Sequence, residues 1–346
     1  MTFKLKDIIR PSVAAMKPYS SARNEFQGEA SVFLDANENP WNIPYNRYPD
    51  PLQRRLKERI SIIKDVAPEH IFIGNGSDEP IDLIIRSFCE PGKDNIVTIT
   101  PSYGMYEVAA ETNNVKCTKV LLDSNFDLNA KVLLDATDEH TKVVYLCSPN
   151  NPSGNLLNRE EVYKVLKYFR GIVVVDEAYI DFSSTPSFLT HLLGFPNLIV
   201  LQTLSKAWGA AAIRLGMAFA SVEIIDVLNK IKYPYNVNQL TQEYALKILS
   251  DVEKMQCQLA LILEERERMA QLFRQPPFSF KVYPSDANFI LAEVGDADYI
   301  YKGLIKEGVV VRNRNSVALC SGCLRITIGT PEENNILVAK MKSLLV

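Results

Sequence analysis

Histidine is scarce in this chain, with three residues among 346, and cysteine is sparse, with six. These are the side chains from which most transition-metal sites are built. Cys320 and Cys323 form one C-x-x-C, but a zinc ribbon needs a second pair or nearby histidines, and His70, His140 and His191 all lie far from it in sequence. Six cysteines in this length are too few for a disulfide scaffold, and Cys89, Cys117 and Cys147 sit in apolar stretches that suit reduced thiols. Charge of one sign is also lacking. Lysine and arginine total 38 against 41 acidic residues, a net charge of -3, so no global basic field draws the chain to nucleic acid or to a membrane surface. No apolar run reaches the roughly 18 residues of a membrane span, and no apolar signal core opens the sequence, so neither spanning nor secretion is expected and the chain reads as cytoplasmic. Two nucleotide motifs are missing as well. Gly74 and Gly76 begin a dinucleotide fingerprint, but Glu79 stands where a third glycine or alanine is needed, and no G-x-x-x-x-G-K-[ST] occurs.

What is present is ordinary in bulk and informative in pattern. Hydrophobic residues make up 47% and charged residues 23%, the balance of a globular protein. The length exceeds the roughly 250 to 300 residues at which a single core stops growing, so two domains are expected. Residues 1–45 read as an extended arm punctuated by Pro11, Pro18, Pro40 and Pro44, either covering a neighbouring surface or serving as a loose leader. Apolar residues at 52, 56, 60 and 63 then give a helical stripe. Continuous apolar runs at 71–73, 95–99, 142–147, 171–175 and 198–201 follow, separated in places by helical patterns such as 160–169. Strands that are apolar on both faces belong in a largely parallel sheet covered on both sides, which places this part in the α/β class. A long helical stretch over 224–273 leads to Pro276-Pro277, a boundary signal. Beyond it, strands at 278–283, 287–294, 308–312 and 324–328 and helices over 299–307 and at the C-terminus make a smaller α+β domain.

The candidate chemistry lies just past the carboxyl ends of the apolar runs, where ligands bind in open α/β sheets. The run at 198–201 leads into Thr203-Leu-Ser205-Lys206. A lysine at the end of a buried strand is desolvated, which favours the free amine that attacks carbonyls; the other reading is a surface lysine that merely follows a strand. Tyr103, Asn151, Asp176 and Tyr179 occupy equivalent positions after three other runs. The turn Gly74-Asn-Gly76-Ser77-Asp78-Glu-Pro80 opens a helix, either as a phosphate seat made of backbone N–H groups or as a plain capped helix. Arg325 interrupts an apolar strand, and Arg312 and Arg314 follow another. An arginine there meets an anion, or reaches solvent from an edge strand on the face shared with Thr327 and Gly329.

Seven motifs together resemble the fold-type-I aminotransferases that use pyridoxal 5'-phosphate, and more narrowly the histidinol-phosphate aminotransferase family. They are Asp35-Ala-Asn-Glu-Asn-Pro40, Arg47-Tyr-Pro-Asp50, Gly74-Asn-Gly-Ser-Asp-Glu79, Pro101-Ser-Tyr-Gly-Met-Tyr106, Ser148-Pro-Asn-Asn-Pro-Ser-Gly154, Asp176-Glu-Ala-Tyr179 and Ser205-Lys-Ala-Trp-Gly209, in the family's order over nearly the whole chain. The resemblance implies a mostly parallel seven-stranded sheet sandwiched by helices in a large domain (46–273), a small α+β domain (274–346), and an N-terminal arm (1–45) packed with the small domain or a partner subunit. It also implies a role for each site residue. Lys206 would bind the cofactor covalently and carry the substrate's proton. Asp176 would keep the pyridine nitrogen protonated, Asn151 and Tyr179 would hydrogen-bond the cofactor's phenolic oxygen, and Tyr103 would stack on its ring. Gly76, Ser77, Asp78, Ser205 and Arg214 would form the phosphate cup, joined by Tyr48 from the other subunit of a homodimer. Arg312 and Arg325, with Tyr19 and Asn37, would hold the substrate's anionic group. The implied reaction exchanges an amino group between L-histidinol phosphate and 2-oxoglutarate, giving imidazole acetol phosphate and L-glutamate, in histidine biosynthesis. A threonine-phosphate decarboxylase-like enzyme and an aromatic amino acid aminotransferase would keep most of these motifs. A non-catalytic regulator on this fold would need a DNA-binding module, for which the chain has no spare length. Trp208 departs from the family's usual phenylalanine.

Overall fold

The computed structural model describes residues 3–18 and 31–345. Two sheets organise it. The larger contains β1 (Ile71–Asn75), β2 (Asn95–Thr100), β3 (Lys116–Leu121), β4 (Thr141–Cys147), β5 (Ile172–Asp176), β6 (Leu198–Thr203) and β7 (Leu215–Phe219), in the spatial order β1-β7-β6-β5-β4-β2-β3. β7 runs antiparallel to both neighbours, and the pairs from β6 across to β3 are parallel. The middle strands show why both faces are covered. In β5, Val173 and Val175 point into one core cluster while Ile172 and Val174 point into the other, all four without measurable exposure. Each such side chain contributes roughly 1.5 to 3 kcal/mol by leaving water.

The helices are α1 (Pro11–Ala15), α2 (Arg54–Lys64), α3 (Asp78–Phe88), α4 (Met105–Thr112), α5 (Ala130–Asp135), α6 (Arg159–Tyr168), α7 (Val222–Ile231), α8 (Gln239–Leu249), α9 (Val252–Arg274), α10 (Ala297–Lys306) and α11 (Pro331–Leu344). α3, α4 and α7 cover one face of the large sheet, and α2, α5 and α6 cover the other. The expected helical stretch over 224–273 is three helices. Pro234 lies in the break after α7, and Asn238 and Asp251 cap α8 and α9 by accepting the N–H groups of Thr241 and Lys254. β3 and β7 are absent from the sequence-based strand set for a physical reason. β3 is an edge strand with only Val120 buried, and β7 is built on Gly216 and Ala218 rather than on β-branched residues.

The smaller sheet is antiparallel throughout, with β8 (Lys281–Val282), β9 (Phe289–Glu293), β10 (Arg312–Asn313) and β11 (Cys323–Thr327) in the order β10-β11-β9-β8. Alternation divides its faces. Ile290, Ala292, Leu324 and Ile326 pack with α10, α11 and the end of α9, whereas Phe289, Leu291 and Cys323 join the core under the large sheet. α9 links the two, since Met255 and Leu259 pack on the large-sheet side and Met269 and Phe273 on the small.

The first residues of the arm pack on the large domain of their own chain. Phe3, Leu5, Ile8, Ile9 and Val13 pack on the α3/α4/α7 face of the large sheet, not on the small domain, and the Arg10 N–H donates to the Ser87 carbonyl at 3.0 Å. Their apolar side chains have that helix layer within reach. Among the described residues no helix is long and apolar enough to cross a membrane.

Candidate active site

Because β7 is the single reversed strand, its beginning meets the carboxyl ends of the other strands, and the loops there enclose one pocket. Ser77, Asp78, Tyr103, Asn151, Asp176, Tyr179, Ser205, Lys206 and Arg214 all line it, together with Cys147, Ala178, Thr203 and Ala211. These residues come from six separate segments of the sequence, brought together by the sheet.

At its base sits Asp176, the last residue of β5, 2% exposed. Burial pushes its carboxyl up, opposed first by the Tyr106 hydroxyl, which donates to Oδ2 at 2.6 Å, and then by the Ala178 N–H, which donates to Oδ1 at 3.1 Å. Tyr106 carries no role in the sequence reading, yet it is the closest partner of this carboxylate. It is wholly buried, stacked on Tyr145 with ring centroids 4.8 Å apart and edge-on to Tyr103 at 5.6 Å. The only general signal is the rule that a buried tyrosine hydroxyl needs a partner, which does not say which partner.

Lys206 is half-buried, with Nζ 5.5 Å from the centre of the Tyr179 ring. Desolvation is the main cause that lowers its pKa, with the Arg325 charge next, while Asp176 pulls the other way. A lysine that gives up its proton readily is what a carbonyl-binding amine requires. Tyr179 is buried, and burial raises its phenol while Arg325 lowers it; its ring meets Phe289 of the small sheet edge-on at 5.2 Å.

One end of the pocket gathers donors that could seat an anion. Ser77 precedes the eleven-residue helix α3, and its side chain makes no capping bond, so the first N–H groups of α3 point outward at the positive end of the helix. Two glycines bring the strands this close. Gly76 has φ +70°, and a Cβ on Gly216 would lie 2.3 Å from the Gly76 carbonyl carbon and the Ser77 nitrogen. Arg214 is itself in the left-handed region at φ 53°, a strained position for a non-glycine residue. Its Nη2 donates to Asp78 Oδ2 at 3.1 Å, and Tyr103 donates its hydroxyl to Asp78 Oδ1, also at 3.1 Å. The Asp78 carboxylate therefore positions Arg214 and Tyr103, and what it offers an anion is its backbone N–H. Ser205 receives a hydrogen bond from the Thr203 hydroxyl at 3.0 Å.

Across the pocket stands the small sheet. Arg325 is half-buried, its guanidinium carbon 5.2 Å from the Phe289 ring centre, and its Nη1 donates to the Asn151 side-chain oxygen. Asn151 thus touches Arg325 directly, a pairing that the motifs alone did not indicate. Arg312 is exposed and faces Arg325 across the β10–β11 ladder. Tyr48 and Asn37 are not brought to Lys206 within this chain. Both line a separate surface cleft, where Tyr48 stacks on Tyr235 with centroids 4.4 Å apart. Tyr19 lies outside the described residues.

The residues present fit pyridoxal 5'-phosphate. The N–H groups opening α3 and Arg214 would seat a phosphate, buried Asp176 would face a ring nitrogen, and Lys206 would meet an aldehyde. Comparisons with known proteins agree. Residues 34–341 match the family model of aminotransferase class I and II. A histidinol-phosphate aminotransferase of Parabacteroides distasonis is 67% identical over 98% of this chain and 99% of its own length. The crystal structure of the histidinol-phosphate aminotransferase from Clostridium acetobutylicum has a TM-score of 0.80 at 27% identity, covering 87% of this chain and 91% of that one. That from Sinorhizobium meliloti, in complex with pyridoxal-5'-phosphate, has a TM-score of 0.78 at 24% identity and covers 86% of this chain and 83% of that one. The chain belongs to the class I and II aminotransferases, and within them to the histidinol-phosphate aminotransferase family.

Proposed function

We propose that this protein is a histidinol-phosphate aminotransferase that uses pyridoxal 5'-phosphate to exchange an amino group between L-histidinol phosphate and 2-oxoglutarate, forming imidazole acetol phosphate and L-glutamate in L-histidine biosynthesis. The observation that carries it is the placement of Lys206 and Asp176 between two anion seats, one at Arg214 and α3, the other at Arg312 and Arg325. A donor with its own phosphate needs a second seat besides the cofactor's.

When bound, the cofactor supplies an electron-withdrawing ring that stabilises negative charge at the substrate's α-carbon. The protein does the rest. Arg214 and the N–H groups of Ser77 and Asp78 would hold the cofactor's phosphate, with Ser205 beside them, while the Gly76 N–H is spent on the Arg214 carbonyl at 2.8 Å. Asp176, whose carboxylate accepts hydrogen bonds from the Tyr106 hydroxyl and the Ala178 N–H, would hold the proton on the ring nitrogen. Tyr103 would pack on the ring, and Asn151 and Tyr179 would hydrogen-bond its phenolic oxygen. Lys206 would hold the cofactor's aldehyde carbon; once the donor's amine displaces it, its free amine would take the proton from the substrate's α-carbon and return it to the former aldehyde carbon. Arg325 and Arg312, with Tyr19 and Asn37, orient the donor by its phosphate.

The same reading makes the protein a cytoplasmic homodimer. Tyr48 and Asn37 sit in a cleft away from their own chain's Lys206, and Leu34, Trp41 and Ile43 nearby are 90%, 76% and 80% exposed, an apolar strip that suits a partner surface. Tyr48 then serves the partner's phosphate seat. It also divides the chain into an arm (1–45), a large domain (46–273) and a small domain (274–346).

The test is a half-reaction on cofactor-loaded protein without keto acid. L-Histidinol phosphate should bleach the visible band of the loaded enzyme, and 2-oxoglutarate should restore it. Bleaching by O-phosphothreonine alone, with release of carbon dioxide, would replace this reading with the decarboxylase.

A further inference from the structure

The face of the small sheet that looks toward Lys206 carries more positive charge than the two clamp arginines account for. The Arg314 N–H donates to the Cys323 carbonyl at 2.9 Å, which extends the β10–β11 ladder by one residue pair. Side chains two residues apart share a face, so Arg312, Arg314 and Arg325 stand together, Arg312 directly opposite Arg325. Like charges opposed across a ladder are destabilising. Among the described residues none of the three has a carboxylate within ion-pair distance. The Nε groups of Arg314 and Arg325 are buried and make no hydrogen bond. Burial, then the charges of Arg325 and Arg312, lower the Arg314 pKa to about 10.

The backbone around Arg314 is nonetheless tightly held. Asn313 and Asn315 donate their side-chain amides to the two carboxylate oxygens of Asp298, at 2.6 and 3.0 Å. Asn315 also accepts the Gly322 N–H at 2.8 Å, closing the turn between β10 and β11. Arg314 is thus fixed in an unfavourable electrostatic position, with a buried donor that nothing among the described residues satisfies. Orphaned buried donors in a native structure call for a partner that arrives from outside. Three guanidinium groups outnumber what one carboxylate can use. A phosphate monoester brings close to two negative charges and three acceptor oxygens.

We propose that Arg314 is a specificity-determining residue, which with Arg312 and Arg325 forms a cage of three guanidinium groups that takes the phosphate monoester of the amino donor in preference to a carboxylate. This rests on the function proposed above; L-histidinol phosphate and L-glutamate both exchange their amino group at Lys206, so each enters the same pocket in turn and meets the same arginines. Arg312 and Arg325 give a grip on either anion, and Arg314 supplies the extra charge and donor that only the phosphate fills.

The test compares wild type, Arg314→Gln and Arg314→Lys as cofactor-loaded enzymes in three readouts. The first is kcat/KM for L-histidinol phosphate and for L-glutamate. Arg314→Gln should lose roughly tenfold more on the phosphorylated donor than on L-glutamate, carried mainly by KM, and Arg314→Lys should recover part of that loss. The second is the melting temperature without added anion. Removing one of three crowded cations should leave it equal or higher, where loss of a merely structural arginine would lower it. The third is the rise in melting temperature on adding inorganic phosphate, which should shrink in Arg314→Gln. Equal losses on both donors, or a lowered melting temperature with an undiminished phosphate response, would overturn the cage. If wild type itself does not turn over histidinol phosphate, the proposed function falls, and the phosphate melting comparison still decides whether the cage exists.

Discussion

The two proposed anion seats are built in opposite ways. At the first, Arg214 is already paired with Asp78, and its backbone, whose carbonyl accepts the Gly76 N–H, adopts a conformation rare for a non-glycine residue. At the second, Arg312, Arg314 and Arg325 have no acidic partner among the described residues, and Arg325 is held by the neutral amide of Asn151 and the face of Phe289. A seat neutralised in advance and framed by backbone N–H groups costs little to keep, and it suits a group that stays. A seat with uncompensated charge gains most when an anion arrives, and it suits groups that come and go. On the function proposed above, the first suits the resident cofactor's phosphate and the second the exchanging substrates.

The largest expected effect lies between the seats. Lys206→Ala should lower kcat by at least about 10⁴-fold, since both proton transfer and covalent attachment go with the amine; turnover near the wild-type rate would remove Lys206 from the chemistry. Arg325→Ala should cut kcat/KM for histidinol phosphate roughly 100-fold through lost charge-assisted hydrogen bonds while leaving cofactor affinity near that of wild type. An equal fall in cofactor affinity would erase the distinction between the seats. Gly216→Ala should do the reverse. Its Cβ has no room against Gly76 and Ser77, so the first seat must shift, with a cost of about 1 to 3 kcal/mol in stability and weaker cofactor binding, read by thermal melting and cofactor titration.

Smaller effects test the base of the pocket. Tyr106→Phe removes a hydrogen bond to the Asp176 carboxylate at 2.6 Å, and should cost about 1 to 3 kcal/mol of stability and move the pH dependence of kcat upward. An unchanged pH profile would show that Tyr106 does not tune Asp176. The smallest concerns Glu177, the buried neighbour of Asp176. Burial is the chief cause that raises it from 4.5 to about 7, against hydrogen bonds from Ser187, the Phe188 N–H and Gln202. A carboxyl raised in the folded state favours folding below its unfolded pKa, and that contribution is lost as pH rises toward about 7. Melting temperatures of wild type and Glu177→Gln measured at pH 5 and pH 8 should therefore diverge, with the variant losing less stability on going to the higher pH.

Much of the first seat was legible in the sequence, and less of the second. Gly76, Ser77, Lys206 and Asp176 lie at the ends of apolar runs, so a strand pattern alone places them at one edge of a parallel sheet. The Asp78–Arg214 pair was hidden, because it joins residues 136 apart through the reversed strand β7, whose Gly216 and Ala218 give a weak strand signal. Tyr106 was hidden for a different reason. Its partner is fixed only once α4 lies on β5, and nothing local distinguishes it from a core aromatic. On the small sheet, alternation in 323–329 did put Arg325 on a single face, but only the register of β10 against β11 shows that Arg312 and Arg314 share it.

The measurement that tests the two-seat account most directly is a crystal structure of the cofactor-loaded protein with L-histidinol phosphate bound. The account predicts the cofactor's phosphate against the N–H groups opening α3 and Arg214, and the donor's phosphate among Arg312, Arg314 and Arg325. A donor phosphate outside that cluster, or a cofactor phosphate within it, would contradict the assignment.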